Sequence, residues 1–285
     1  MGGIAMIEFL QALSDPDLVF LRNALVLGLI GSIPLGTVGT FVVARRISYL
    51  AAAIAHSVLG GIGVALYCRN VWGWDWLQPM FGALVAALLA VGLMGIVSLR
   101  ARQREDAVIG SIWVAGMAVG LLFIYKTPGY IDPMVYLFGD ILLVDGADLW
   151  LAGGVGALIL TVLLVWHRQV IAVCFDPEFA AIRGVRSDLV YLLLLLLTAL
   201  SVVILVSLVG IVLVIALLTL PPAIAALRAR SLWQMLVVAI LLNIVFIFSG
   251  LAVSFSCDLP TGPSIILLAA LVYLIGSGLT KVLKR

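Results

Sequence analysis

His56 is the residue of this chain whose chemistry most needs an explanation. It lies in an apolar stretch, Arg45 to Cys68, that is long enough to cross a bilayer and carries no formal charge after Arg46. A polar side chain that can bind a metal is costly in hydrocarbon unless it faces a bundle interior or a hydrated path. We therefore interpret His56 as a candidate metal ligand. The alternative is a packing role, in which the imidazole hydrogen-bonds a carbonyl of a neighbouring helix.

The composition of the chain is that of a membrane protein. Of its 285 residues, 65% are apolar and 11% are charged, and the mean hydropathy is +1.30. These values lie far outside the range of soluble globular proteins. We expect an all-α polytopic membrane protein, a single transmembrane domain over residues 1–285, with no stretch left over for a separate catalytic domain.

Apolar stretches near the roughly 20 residues that a spanning helix needs recur along the chain. They predict about nine transmembrane helices, with eight as the alternative, because only Ser207 and Gly210 separate the sixth stretch from the seventh. Pro221 and Pro222 predict a kink or a break within the seventh. The predicted spans are residues 18–43, 48–68, 78–98, 107–126, 148–167, 189–207, 210–227, 231–253 and 263–282.

The distribution of basic residues predicts the orientation of the bundle. Loops on the cytoplasmic side of a membrane protein carry an excess of Lys and Arg. With the N-terminus outside and the C-terminus in the cytoplasm, thirteen of the 16 Lys and Arg residues lie on the cytoplasmic side. We therefore expect this orientation.

The three cysteines do not form a structural metal site. Cys68, Cys174 and Cys257 show neither a CxxC pair nor the spacing of a zinc finger. Cys68 and Cys257 both fall on the expected outer side of the membrane. An oxidising compartment would allow a disulfide between them, provided that their Cα atoms lie within bridging distance.

The stretch between the fifth and sixth predicted spans contains the signal of a short helix. Asp176 suits the N-cap, Pro177 the first turn, Glu178 the positive helix end and Gly184 the stop. We predict a helix over about residues 177–183 on the cytoplasmic side. Because so short a helix is unstable alone in water, it needs a surface to dock against. The alternative is an ordinary surface turn.

The sequence lacks the motifs of nucleotide hydrolysis and of common hydrolases. It has no GxxxxGK[ST] loop, no HExxH, no GxSxG and no pair of carboxylates within a span. His167, the only other histidine, lies at the inner end of the fifth span beside Arg168, where an interfacial position is favoured over metal binding. We therefore expect that the chain does not hydrolyse ATP itself and that it is not an enzyme.

Six stretches, in order over nearly the whole chain, share one resemblance. They are FVVARRISYLAAAIAHSVLGGIGVAL, REDAVIG, LFGDIL, FDPEFAAIRGV, VGIVLVIALLTLPPAIAA and DLPTGPSIIL. They resemble the membrane permease subunit of bacterial ATP-binding-cassette importers for zinc, manganese or iron, in the inner membrane. The resemblance implies a transport subunit that binds no cofactor itself. It also implies cytoplasmic ATPase subunits that bind ATP, an extracytoplasmic metal-binding protein, and a second permease subunit that is a copy or a paralogue.

The resemblance also implies a metal path. It implies that His56 is a transit ligand for Zn²⁺, Mn²⁺ or Fe²⁺, which a neutral imidazole suits better than Mg²⁺ or Ca²⁺. In the family an Asp lies one helical turn earlier, but this chain has Ala52 at that position. Asp140, in the expected outer loop, or a partner subunit would then supply the missing carboxylate.

The same resemblance implies that the short cytoplasmic helix is a coupling helix, which docks on an ATPase subunit. Its residues in this chain are Asp176, Pro177, Glu178, Phe179 and Gly184.

Two other transport functions stay open as alternatives. A permease for a metal chelate or a vitamin B12 type ligand would need a wide, aromatic-lined path instead of one histidine. A secondary ion transporter would need carboxylates within the membrane or an inverted repeat, and the sequence shows neither.

Overall fold

The computed structural model describes residues 9, 18–100, 105–129, 131–139, 141 and 144–283. Within these residues the chain folds into eleven α-helices, numbered in chain order. They are α1 (Val19–Ala44), α2 (Ser48–Trp72), α3 (Pro79–Arg100), α4 (Glu105–Lys126), α5 (Pro133–Phe138), α6 (Gly146–Phe175), α7 (Pro177–Ile182), α8 (Ser187–Val209), α9 (Ile211–Ala226), α10 (Leu232–Cys257) and α11 (Thr261–Leu283).

Nine of these helices correspond to the nine predicted spans. Eight are long and apolar enough to cross a membrane, so the prediction of eight to nine spanning helices is confirmed. The ninth, α9, has 16 residues and is about 24 Å long at 1.5 Å per residue. Successive long helices reverse direction, and α5 and α7 lie at opposite ends of the bundle. We call these the α5 end and the α7 end.

Two helices differ from the sequence-based expectation. α6 continues past the predicted end of the fifth span to Phe175, so much of the predicted loop is helical. α9 passes through Pro221 and Pro222, so the predicted break does not occur. Pro222 removes the amide that would bond the carbonyl of Leu218. That carbonyl lies against Gly39 of α1, which has no side chain to keep it away.

Two groups of helices meet at α8. In the first group, α1 is the central helix and packs against α6, α8, α9 and α10. In the second group, α3 and α4 pack on either side of α2. Because α8 contacts α1 and α6 as well as α2 and α3, it joins the two groups into one bundle.

Glycines hold α2 close to both of its neighbours. A Cβ on Gly60 would lie 2.8 Å from the carbonyl oxygen of Gly116 in α4. A Cβ on Gly61 would overlap the carbonyl of Gly82 in α3. Such backbone contact lets membrane helices gain dispersion energy over a long interface. The position of α4 relative to α2 therefore depends on residues without side chains.

Three glycines form a second backbone contact at the α5 end, which we call the glycine joint. Gly139 follows α5, Gly210 connects α8 to α9, and Gly262 lies in the first turn of α11. Cβ atoms on Gly139 and Gly210 would overlap the backbone of the segment opposite, and one on Gly262 would lie 2.6 Å from the carbonyl oxygen of Phe138. Gly139 and Gly210 also have positive φ angles, +66° and +89°, which favour glycine.

Most buried hydroxyl groups bond within their own helix, but one buried amide has no partner. Ser32 donates to the carbonyl of Gly28 at 2.6 Å and Thr40 to that of Gly36 at 2.7 Å. Asn243 of α10 is 0% exposed, and neither its Oδ1 nor its Nδ2 bonds to any residue that the structure describes. This amide is a net cost to the stability of the bundle.

The disulfide that the sequence allowed between Cys68 and Cys257 is not formed. Cys68, Cys174 and Cys257 are all free thiols. Cys68 is buried among the helices, whereas Cys257 is exposed at the end of α10. The two side chains thus lie in different environments although both are at the α5 end.

Replacing Gly61 by Ala tests the close contact of α2 with α3. The added Cβ overlaps a backbone carbonyl, which cannot rotate away, so we expect Gly61→Ala to destabilise the bundle by about 1–3 kcal/mol. Gly92→Ala is the matched control, because no atom lies within 4 Å of the Cβ that it would add, and alanine favours helices by up to about 1 kcal/mol. Thermal unfolding of the full chain in detergent measures both. Equal unfolding midpoints for Gly61→Ala and Gly92→Ala would contradict the close contact of α2 with α3.

Candidate functional site

His56 lies in the third turn of α2, eight residues after Ser48 and therefore about 12 Å from the α7 end of that helix. Its side chain is half-buried. The imidazole stacks face to face on the indole of Trp113 in α4, with 4.6 Å between ring centroids and 8° between ring planes. One face of the ring is therefore covered by α4.

The two ring nitrogens of His56 have different surroundings. Nδ1 is buried and has no hydrogen-bond partner within the described part of the chain. The half-buried ring leaves Nε2 as the nitrogen that a ligand can reach. A histidine that binds a metal firmly normally donates its other N–H to a carboxylate or carbonyl, which raises its basicity. His56 lacks that support among the described residues, so it is suited to a weak, transient contact.

Trp113 is itself held in place by its own helix. Its Nε1–H donates to Sδ of Met117, one turn further along α4, at 3.3 Å. The sequence-based analysis missed both residues. Gly116 and Gly120 have the small-residue spacing of a close helix contact, but that spacing does not tell which helix is the partner. In the structure, α4 lies parallel to α2, and Gly120 packs on Leu59 and Gly63.

No carboxylate completes the site within the residues described. Ala52 lies one turn before His56 on the same face of α2 and is half-buried. Asp140, the other predicted ligand, lies outside the described residues. Across the described ranges, no three His, Cys, Asp or Glu side chains come together as a metal site. His56 is therefore the one predicted ligand whose position the structure gives.

His167 has a structural environment. Its Nδ1–H donates to the carbonyl of Leu164 in the preceding turn of α6, at 2.6 Å. The ring lines an apolar cavity of about 160 Å³ between α1, α6 and α10. This arrangement accounts for His167 without a metal.

The short helix predicted near residue 177 is present as α7, with caps at both ends. The carboxylate of Asp176 accepts from the amide of Phe179 at 2.9 Å. After the helix, Gly184 has a positive φ of +82°, and its amide donates to the carbonyl of Ala181 at 2.9 Å. The hydroxyl of Ser187 donates to the carbonyl of Pro177 at 2.7 Å, which ties α7 to the start of α8.

One surface of α7 is apolar and exposed. The exposed fractions are 72% for Phe175, 52% for Phe179 and 84% for Ile182. The guanidinium of Arg183 lies 5.1 Å from the centre of the Phe179 ring, a distance typical of a cation–π contact. By contrast, Ala180 is buried against the bundle. A capped helix with two exposed apolar side chains, next to the exposed Phe175 at the end of α6, is typical of a docking surface.

Comparisons with known proteins agree with this fold. The model of the ABC 3 transport family matches residues 17–279 of the chain. A membrane protein of Synechocystis sp. is 40% identical, covering 95% of this chain and 94% of its own length. The manganese import system permease protein ScaB of Streptococcus gordonii is 33% identical, covering 94% and 93%. The solved structure of PsaBC from Streptococcus pneumoniae in complex with Fab superimposes with a TM-score of 0.82 at 31% identity, covering 95% of both chains.

The helical bundle and these matches define the class of the protein as a multi-pass permease of the bacterial inner membrane. The chain belongs to the ABC 3 transport family. It is the membrane permease of a metal transport system, and is a transport component and not an enzyme.

Replacing Trp113 tests whether the stack positions His56. A stacked aromatic pair is worth about 0.5–1.5 kcal/mol, so we expect Trp113→Leu to lower metal uptake by the assembled transporter about two- to tenfold. Trp113→Phe keeps a ring over the imidazole and should retain most of the uptake. Trp150→Leu, at an exposed tryptophan of α6, is the control for the loss of an indole. Equal uptake by Trp113→Leu and Trp113→Phe would show that the stack has no positioning role.

Proposed function

We propose that this chain is the permease of an ATP-driven importer that carries Zn²⁺, Mn²⁺ or Fe²⁺ into the cytoplasm, and that the ion contacts Nε2 of His56 on the way. The observation that supports this most directly is the half-buried imidazole within a spanning helix, with one nitrogen left open. A polar group at this depth is expensive and is usually functional. Because no described residue hydrogen-bonds Nδ1, the imidazole is a weak ligand. A weak ligand favours rapid release of the metal ion, which transport requires.

The donor chemistry and the relatives favour different metals. ScaB of Streptococcus gordonii is a manganese permease by name, which supports Mn²⁺. An imidazole without a carboxylate suits Zn²⁺ and Fe²⁺ better, because Mn²⁺ prefers oxygen ligands. Because Ala52 supplies no carboxylate, the metal that this chain carries has to be measured directly. Uptake of the three ions in competition ranks them.

A second permease subunit is part of the proposal. An ion in the membrane loses most of its hydration, and one imidazole replaces only part of it. A second copy or a paralogue would supply a further imidazole to the ion at the exposed part of the His56 ring. An extracytoplasmic metal-binding protein would deliver the ion at the α5 end.

The α7 end is proposed to face the cytoplasm, where the loops carry most of the basic residues. In this orientation Phe175 at the end of α6, together with Phe179 and Ile182 of α7, meets a cytoplasmic ATPase subunit. A short helix that is fixed to α8 through Ser187 can transmit movement of the ATPase to the bundle. The proposed coupling residues are Asp176, Pro177, Glu178, Phe179 and Gly184.

Substitution of His56 separates metal contact from packing. We expect His56→Ala to abolish uptake while the assembled complex stays intact. His56→Gln retains hydrogen-bonding capacity but is a poor ligand for these metals, so its uptake should also fall by at least about tenfold. His167→Gln is the matched control, because His167 is bonded to its own helix, and it should transport normally. Uptake of radioactive metal by proteoliposomes measures all three.

Near-normal uptake by His56→Gln would show that His56 has a packing role and that the ion passes other residues. Loss of uptake by His167→Gln as well would indicate a general effect of histidine replacement.

Replacement of Glu178 and Phe179 together tests the coupling helix. The double variant Glu178→Ala, Phe179→Ala removes the first-turn carboxylate and an exposed ring, so we expect ATP hydrolysis without metal uptake in the assembled complex. Trp233→Ala is the control, since Trp233 is also exposed near the α7 end. Normal uptake by the double variant would mean that α7 has no coupling role.

A further inference from the structure

A long apolar groove lies between α3 and α4, with α2 as its floor. Its volume is about 490 Å³. Ser57, Gly60 and Gly61 form part of the floor, and Val85 and Val119 are on the two walls. Because all three helices are spanning helices, the groove runs along them within the membrane.

The described part of the chain does not fill this groove. α3 and α4 both pack on α2, through Gly61 with Gly82 and through Gly60 with Gly116. These contacts hold the two helices on different sides of α2, and α3 and α4 share only a small contact with each other. The groove is therefore fixed by backbone contacts and is open towards the membrane.

The chemistry of the groove selects an apolar ligand. Its one polar lining side chain is Ser57, whose hydroxyl donates to the carbonyl of Ala53 at 2.7 Å. Because the hydrogen of that hydroxyl is already used, the lining side chains offer no free hydrogen-bond donor to a ligand. Along α3 the lining extends from Gly82 to Leu93, about 17 Å at 1.5 Å per residue. This length is close to that of one leaflet in a bilayer whose hydrocarbon core is about 30 Å thick.

The α5 end of the groove carries a positive charge. Lys126 is exposed and follows Ile112 and Val119 of the groove wall at intervals of seven residues, which places it on the same face of α4. It lies about 10 Å beyond Val119 along the helix. A phosphate at this end would therefore meet a cation.

Exposed aromatic rings flank the same end. Trp72 lies seven residues after Ala65 of the groove floor and is 58% exposed. Its ring is 6.1 Å from that of Tyr67 and 5.2 Å from that of Trp74, and Trp76 continues the series. Tryptophans of this kind concentrate at the level of lipid headgroups. The mouth of the groove is thus at headgroup level.

From these features we propose that the groove is a binding site for one membrane phospholipid with an anionic headgroup. An acyl chain lies on the glycine floor between α3 and α4, and the headgroup phosphate contacts Lys126. The bound chain supports α4 on the side that faces α3. It thereby stabilises the position of Trp113 over His56, since Gly116 and Trp113 lie in the same turn of α4.

The test compares two identical substitutions on α4. Ala115 lines the groove, whereas Ala118 is exposed and is not part of the lining. We expect the full chain with Ala115→Phe, purified from membranes, to retain one phospholipid fewer than the chain with Ala118→Phe, as counted by native mass spectrometry. Lys126→Gln should keep the acyl site but lower the preference for phosphatidylglycerol over phosphatidylcholine about fivefold, since a Lys near lipid phosphate contributes about 1 kcal/mol.

Equal phospholipid retention by Ala115→Phe and Ala118→Phe would overturn the proposal. So would a loss of self-association in Ala115→Phe with no loss of lipid, because the groove would then hold a helix of a second copy. An unchanged headgroup preference in Lys126→Gln would show that Lys126 does not select an anionic headgroup. The measurement does not involve metal uptake, so its outcome is independent of the role of His56.

Discussion

Close approach of helix backbones is the interaction on which the rest of this structure depends. Within hydrocarbon, apolar side chains gain little by leaving lipid for protein, so helices associate mainly through tight packing. Gly60, Gly61 and Gly116 bring α3 and α4 onto α2 at distances that a side chain would prevent. The same contacts place Trp113 beside His56 and leave the groove between α3 and α4. The candidate ligand and the groove are thus consequences of one packing arrangement.

The short helix α9 shows how the bundle covers backbone amides that would otherwise face lipid. At about 24 Å it does not reach across a hydrocarbon core of about 30 Å. Its first residues would expose amides to lipid if nothing covered them. Phe138 and Gly139 lie directly on Gly210 at this point. Among the described residues, Asn243 is an exception, because its side-chain amide is buried without a hydrogen-bond partner.

The features that the sequence predicted correctly are those that depend on the residues of a single helix. Apolar length located the spans, and Asp176 and Gly184 located the two ends of α7, because a cap acts on its own helix. The unusual depth of His56 was also visible. Trp113 was missed because its stack depends on which helix packs beside α2. The sequence predicted a kink or a break at Pro221 and Pro222, and the absence of a break in α9 has a similar reason: Gly39, on a helix far away in the chain, accommodates the freed carbonyl of Leu218.

The glycine joint has a consequence for how this protein can change over evolutionary time. Every amino-acid replacement of glycine adds a side chain, and at Gly139, Gly210 and Gly262 the added atom meets main chain that cannot rotate away. Three segments far apart in the sequence are therefore constrained together. By contrast, Gly110 and Gly154 have no atom within 4 Å of an added Cβ and can vary singly. Amino-acid replacement should therefore be slow at the glycine joint and faster at these other glycines. The joint can then serve as a marker by which the sequences of distant relatives are aligned.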